Sequence, residues 1–148
     1  MAWTTDILMT FRRIIKLHEN GLKELCEKYR LSLIEANIIS FLYNNPGKDT
    51  AGDIVELRML AKGNVSQAVE ALIQKALLQR RQDESDRRKI HLSLLPAAEP
   101  ITRDIERARC RFLEDMFCGF SAEDLEQFER INRRIVENVA AMEGGGVK

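Results

Sequence analysis

The chain has 148 residues, 45% of them hydrophobic and 31% charged, with a formal net charge of zero. That length suits one compact domain with its own core, and no apolar run is long enough to span a bilayer. The first residues, Met1-Ala2-Trp3-Thr4-Thr5-Asp6, lack the basic-then-apolar order of a secretory leader, so a cytoplasmic protein is expected.

Three cysteines, Cys26, Cys110 and Cys118, form no C-x-x-C pair and no zinc-ligand spacing. They read as reduced, mostly buried thiols of a cytosolic protein. An oxidant-sensing role would require an accessible, electropositive setting. The neutral total charge hides an asymmetry. From Arg58 to His91 eight basic residues face four acidic ones, a net +4, whereas Glu99 to Lys148 carries eight basic and eleven acidic, a net −3. A basic middle segment hints at contact with a polyanion.

The first predicted helix runs from about Thr5 to Tyr29, with Ile7, Leu8, Phe11, Ile14, Ile15, Leu22 and Leu25 at three- and four-residue steps. Ser32-Leu33-Ile34-Glu35 has the form of a capping box and starts a second helix to Asn44, with Ile34, Ile38, Phe41 and Leu42 inward. Asn44-Asn45-Pro46-Gly47 ends it. Thr50-Ala51-Gly52-Asp53 repeats the box and opens a short third helix to Arg58 that buries Ile54 and Leu57. After Met59-Leu60-Ala61 a fourth helix extends from about Lys62 to Ala76, with Val65, Val69, Leu72 and Ile73 on one face.

The period then shortens. Leu77 to Arg81 starts as a strand, and Lys89-Ile90-His91-Leu92-Ser93-Leu94 alternates, placing Ile90, Leu92 and Leu94 on one face. The polar run from Gln82 to Arg88 between them makes a hairpin with a charged tip. After Pro96 a fifth helix carries Ile101, Ile105, Phe112, Leu113, Met116 and Phe117. A third capping box, Ser121-Ala122-Glu123-Asp124, opens a sixth with Leu125, Phe128, Ile131, Ile135, Val136 and Val139. Glu143-Gly144-Gly145-Gly146 reads as a frayed tail.

A helix, a short helix, a tight turn, another helix and a charged hairpin follow the order of a winged helix-turn-helix. In that geometry the second helix of the pair enters a major groove by its N-terminal end. Here that end carries Lys62, Gly63, Asn64, Ser66 and Gln67. Lysine suits phosphate or guanine, and the amides suit adenine edges. Gly63 permits close backbone approach. At the hairpin tip stand Asp86, Arg87 and Arg88, where an arginine can enter a narrow minor groove.

The segment Thr50 to Leu95 resembles the MarR family of bacterial regulators. The resemblance rests on Asp53-Ile54-Val55, on Lys62-Gly63-Asn64-Val65-Ser66-Gln67-Ala68-Val69, on Leu72, and above all on Asp83-Glu84-Ser85-Asp86-Arg87-Arg88 with the strand that follows. It implies a mainly α protein with a small β-hairpin and a single domain over 1–148. A winged helix-turn-helix core at about 32–95 would be flanked by dimerisation helices at about 4–29 and 97–141. It further implies a homodimeric transcriptional regulator, repression as the usual sign, and a palindromic double-stranded DNA operator. Lys62, Gly63, Asn64, Ser66 and Gln67 would approach the major groove, and Arg87 would be the wing arginine. Asp86 and Arg88 would either shape the wing or touch phosphate.

Release by a small molecule or an oxidant is the mode the resemblance implies. Arg12, Arg13 and His18 are candidates for lining an effector pocket, with no ligand-binding residue assigned. Three departures stand out: Ala61 where a capping Ser or Thr is usual, Lys75-Ala76-Leu77 where a glycine usually ends the helix, and Leu94-Leu95-Pro96-Ala97-Ala98 in place of Leu-Thr…Gly. An αL residue near Ala76 would be strained by about 1 kcal/mol.

The alternative is a winged-helix module that binds proteins and no DNA. An enzyme is not expected, because metal-ligand spacing, a phosphate loop and a nucleophile elbow are missing from the sequence. His18 and His91 show no obvious acidic or cysteine partner, and no cofactor, metal or membrane partner is implied.

Overall fold

All three hydroxyl–carboxylate pairs close as capping boxes in the computed structural model, which describes residues 2–58 and 60–145. Ser32 Oγ accepts the Glu35 N–H at 3.1 Å while Glu35 Oε1 accepts the Ser32 N–H at 3.1 Å. Thr50 with Asp53 and Ser121 with Asp124 repeat the exchange. Each satisfies two donors that a helix start would otherwise leave without an intrahelical partner.

The helices are α1 (Ala2–Tyr29), α2 (Leu33–Asn44), α3 (Ala51–Arg58) and α4 (Lys62–Gln74), followed by strands β1 (Leu78–Gln82) and β2 (Ile90–Leu94). A 3-10 turn at Pro96–Ala98 leads into α5 (Glu99–Met116), and α6 (Ala122–Gly145) follows. The chain divides into two compact units, one up to Phe112 and one from Leu113.

In the first unit the core gathers Leu25, Ala36, Ile38, Ile39, Phe41, Ile54, Val65, Leu72, Leu78, Leu92 and Ile101. Helices α2, α3 and α4 thus each give one apolar stripe to a common centre, and β1 and β2 close it from one side. The strands pair antiparallel from Leu78 with Leu94 to Gln82 with Ile90. Asp49 is tied to the outer edge of β2: its carbonyl accepts the Leu92 N–H at 2.8 Å. Polar ties fix the outer helices of this unit. Tyr29 Oη donates to Asp104 Oδ2 at 2.6 Å, Lys28 pairs with the same carboxylate at 2.9 Å, and Asn44 donates to Glu106 at 3.0 Å.

Two helices end on non-glycine residues with positive φ, Arg30 at 55° and Ala76 at 58°. Both ends have the same bonding. Leu31 N–H reaches back to Cys26 O and Arg30 N–H to Glu27 O; Leu77 N–H reaches Leu72 O and Ala76 N–H reaches Ile73 O. These are Schellman turns built without glycine, so the strain expected near Ala76 is present. It recurs at Arg30, where the sequence offered no warning.

Several expectations need correction. The cysteines are not mostly buried: Cys110 and Cys118 are exposed on the outer helix α5 and the turn after it, and Cys26 is only partly buried. Leu57 is 51% exposed, because the eight-residue α3 turns only Ile54 fully into the core. Ile90 is 45% exposed, since the sheet face runs out of core toward the hairpin tip. Helix α4 stops at Gln74 and β1 begins at Leu78, the Schellman turn taking up the residues between. Glu143, Gly144 and Gly145 are helical rather than a frayed tail, and Gly146 lies outside the described residues.

In the second unit, Gly119 takes φ 85° in the turn between the end of α5 and Ser121. Phe117 packs edge-on against Phe120 and Phe128, with centroids 5.5 and 5.0 Å apart. Along α6 every residue from Ala122 to Gly144 is exposed, including Phe128, Ile131, Ile135 and Val139. Exposed Leu8, Phe11, Ile15 and Leu17 likewise mark the first half of α1.

Candidate nucleic-acid interface

Helix α4 is held by one face and open on the other. Val65, Ala68, Val69 and Leu72 are buried, while Lys62, Gly63, Asn64, Ser66 and Gln67 are exposed at its start. A Cβ built on Gly63 would meet nothing within 4 Å, so packing within the chain does not demand glycine there. Ala61 is the N-cap at φ −67° and ψ 134°, with no side-chain cap bond. The first N–H groups of α4 therefore point outward uncapped, carrying the positive end of the helix dipole. Glu70, on the same helix, pairs with Arg80 at the root of the wing.

The wing tip is ordered by one carboxylate. Asp83 Oδ2 accepts from Ser85 N–H at 3.0 Å, Ser85 Oγ at 2.9 Å and Asp86 N–H at 2.8 Å. Asp86 Oδ1 then accepts the Arg88 N–H at 3.0 Å, and Gln82 Nε2 donates to Arg87 O at 3.2 Å. Asp86 is thus occupied inside the turn. Arg87 and Arg88 are exposed and form no ion pair with another described residue, as is also true of Lys62.

His91 corrects the expectation that neither histidine has an acidic partner. Its Nδ1 lies 2.7 Å from Asp49 Oδ1 and its Nε2 lies 2.7 Å from Asp83 Oδ1. The hydrogen bonds to Asp49 and to Asp83 raise the His91 pKa above its ordinary 6.5. The His91 contact, joined by those from Ser85 and Asp86, holds Asp83 far below the usual carboxylate range. Alternation across the hairpin offered a partial signal, because pairing Arg81 with His91 brings Asp83 nearby. Asp49, 42 residues earlier, carried none.

His18 packs at a tilt against Phe112, with ring centroids 5.5 Å apart, and burial, together with Arg58 and Arg109, pushes its pKa down. A groove along α1 and the start of α2 is lined by Arg12, Lys16, Lys23, Cys26 and Leu33, and includes neither Arg13 nor His18. Burial and the Glu35 carboxylate raise the Cys26 thiol, which suppresses the reactive thiolate. Among the described residues no three His, Cys, Asp or Glu side chains form a metal cluster, and no helix is long and apolar enough to cross a membrane.

The family model described as "MarR family" matches residues 31–89, the stretch from the start of α2 through the wing. This winged helix-turn-helix is of the MarR family. The chain is 26% identical over 125 residues to the uncharacterized HTH-type transcriptional regulator YsmB of Bacillus subtilis, covering 84% of this chain and 85% of that one. It is 24% identical over 87 residues to the transcriptional repressor MprA of Escherichia coli K12, covering 59% of this chain and 49% of MprA, so it spans about half of that relative. Its fold is similar to that of MepR from S. aureus, solved as a MepR–DNA complex, with a TM-score of 0.70 at 18% identity over 88% and 96% of the two chains. The chain thus carries, over residues 31–89, a winged helix-turn-helix of the kind found in MarR-type transcriptional regulators.

Proposed function

We propose that this regulator binds double-stranded DNA as a homodimer, with the start of α4 in the major groove and Arg87 in the adjacent minor groove. One observation carries the reading. The exposed Lys62, Gly63, Asn64, Ser66 and Gln67 ride on a helix whose opposite face is locked into the core, beside a rigid turn presenting two unpaired arginines. A preorganised basic surface of this kind binds without a large ordering cost. The uncapped start of α4 suits a phosphate, Gln67 and Asn64 suit adenine, and Arg88 suits backbone phosphate. Asp86 is assigned to shaping the wing rather than touching DNA.

The homodimer rests on the apolar stripes left exposed on α1 and α6, which a second copy would cover. In this reading residues 1–148 form one MarR-like domain. Residues 32–95 are the reading core, and 4–29 and 97–141 are the dimerisation helices. Two copies would read half-sites about one helical turn apart, on a palindrome. Repression by occupying the operator is the sign supported by the partial likeness to a named repressor. Release by a small molecule is assigned to the α1 groove that includes Arg12.

The test is selection of bound duplexes from a random pool, followed by affinity measured against salt. Recovery of a palindrome, with affinity falling steeply as salt rises, is the expected result. No binding to any duplex at low salt would overturn the proposal and leave a protein-binding winged helix.

A further inference from the structure

We infer that His91 is a protonation-dependent tether that fixes the wing tip to the segment leading into α3, and so sets how firmly the wing engages DNA. The DNA half of this inference rests on the function proposed above. The tether itself does not.

The geometry is that of a clamp. His91 stands on β2 with one ring nitrogen 2.7 Å from Asp49, just ahead of α3, and the other 2.7 Å from Asp83, at the base of the wing tip. An imidazolium donates from both nitrogens. A neutral imidazole donates from only one and turns a lone pair on the other toward a carboxylate oxygen. Loss of the proton therefore breaks one of the two links and makes it repulsive.

The two links are not equivalent in consequence. The Asp49 segment is also held to β2 by its backbone bond to Leu92, which does not depend on pH. Asp83 has no such backup toward α3, and its other carboxylate oxygen organises Ser85 and Asp86. Releasing Asp83 loosens the turn that presents Arg87. The tether thus acts on the part of the wing assigned to the minor groove.

Neighbouring charges leave this logic intact. From the α3 side, Lys48 and Asp53 line the same hollow as His91, and Asp53 is already engaged in its capping box. From the wing come Arg88 and Lys89, with Arg81 opposite on β1. None of these cations is a leading influence on the imidazolium; the two direct carboxylate contacts outweigh its desolvation and raise its pKa. A raised folded-state pKa means the tether is fully formed below about 6.5 and is lost as pH rises through the folded value. His18, whose pKa is pushed down, titrates outside that window.

Two-dimensional NMR of the free protein from about pH 5.5 to about 8.5 reads the tether directly. The His91 ring is expected to titrate above its ordinary value, with the Ser85 and Asp86 amides shifting along the same curve. Asp83→Asn should bring that midpoint down. Titration of His91 at or below 6.5, or wing amides that ignore it, overturns the inference.

Anisotropy with an A·T-rich duplex of about 30 base pairs reads the consequence. Affinity should weaken several-fold across the same pH range, about tenfold for each unit by which DNA raises the His91 pKa further. His91→Gln should bind at the weaker level with a flat profile over that range. A variant that keeps the wild-type pH profile overturns control of DNA affinity by His91. Coupled titration without duplex binding at any pH supports the tether and overturns the DNA-binding reading instead.

Discussion

The Lys75 ammonium sits 2.8 Å from both carboxylate oxygens of Glu35, joining the end of α4 to the start of α2 across 40 residues of sequence. The same ammonium donates to Arg30 O at 2.7 Å. One side chain therefore braces both strained helix ends, since Arg30 carries one positive φ and Ala76, next to Lys75, carries the other. Glu35 is buried to 5% exposure, and Lys75 is its cation. Lys75→Met should cost about 2 kcal/mol, discounted from the fully buried case because the lysine is partly exposed. Urea denaturation checks this; a loss below about 0.5 kcal/mol would show that the pair is worth no more than a surface contact.

Ala76→Gly should stabilise the protein by about 0.5–1 kcal/mol. Relief of the left-handed strain at φ 58° outweighs the extra freedom glycine gains when unfolded. The urea midpoint should rise with an unchanged slope. A fall would mean that the Ala76 methyl makes a compensating contact.

Ala61→Ser should add about 1 kcal/mol by capping α4, because Ala61 already has extended backbone and only lacks an acceptor. Thermal unfolding of the free protein reads the gain. An unchanged midpoint would indicate that the first α4 donors are satisfied by water at no cost.

Arg87→Ala should weaken duplex binding, most on sites with a narrow A·T-rich minor groove, and reduce the salt slope by about one. Gln67→Ala should instead relax preference at one base position, at a cost of about 1–3 kcal/mol on the parent site. Binding isotherms at several salt concentrations and on single-base variants separate the two. Parent-like behaviour of both variants would reject the assigned contacts.

Asp104 is held below its ordinary pKa by the hydrogen bond from Tyr29 and then by that from Lys28. A depressed folded pKa contributes stability above about pH 4, which is lost as pH falls through the folded value. Asp104→Asn should flatten the acid limb of the stability–pH curve while leaving the region above pH 7 parallel to the parent. Denaturation midpoints measured down to about pH 3 provide the check, and an unchanged acid limb would place the acid sensitivity elsewhere.

What the sequence disclosed was chiefly local. Ser32 with Glu35, Thr50 with Asp53 and Ser121 with Asp124 are three residues apart, so their bonding could be anticipated from spacing alone. The alternation through Leu92 and Leu94 placed the hairpin, and Lys75-Ala76-Leu77 announced a helix end without its glycine. The misses depend on the tertiary arrangement. Leu57 has the spacing of a core residue, but α3 is too short to turn it inward. Asp49 meets His91, and Glu35 meets Lys75, only because the folded core brings distant segments together. The exposed residues at the start of α4 were legible because the helical period separates them from Val65 and Val69.

Helix α6 lends no buried side chain to its own chain from Ala122 to Gly144. Substitutions along it can therefore drift without eroding the centre around Ile38, Ile54 and Leu72. Apart from Asp124 in its capping box and Phe128 against Phe117, what constrains those positions is external, whether solubility or a binding counterpart. Two descendants of a duplicated gene could diverge along α6 and cease to recognise each other, while each kept the same α4 surface intact. If α6 pairs two copies and α4 reads the target as proposed, the choice of companion and the choice of target can change on separate evolutionary clocks.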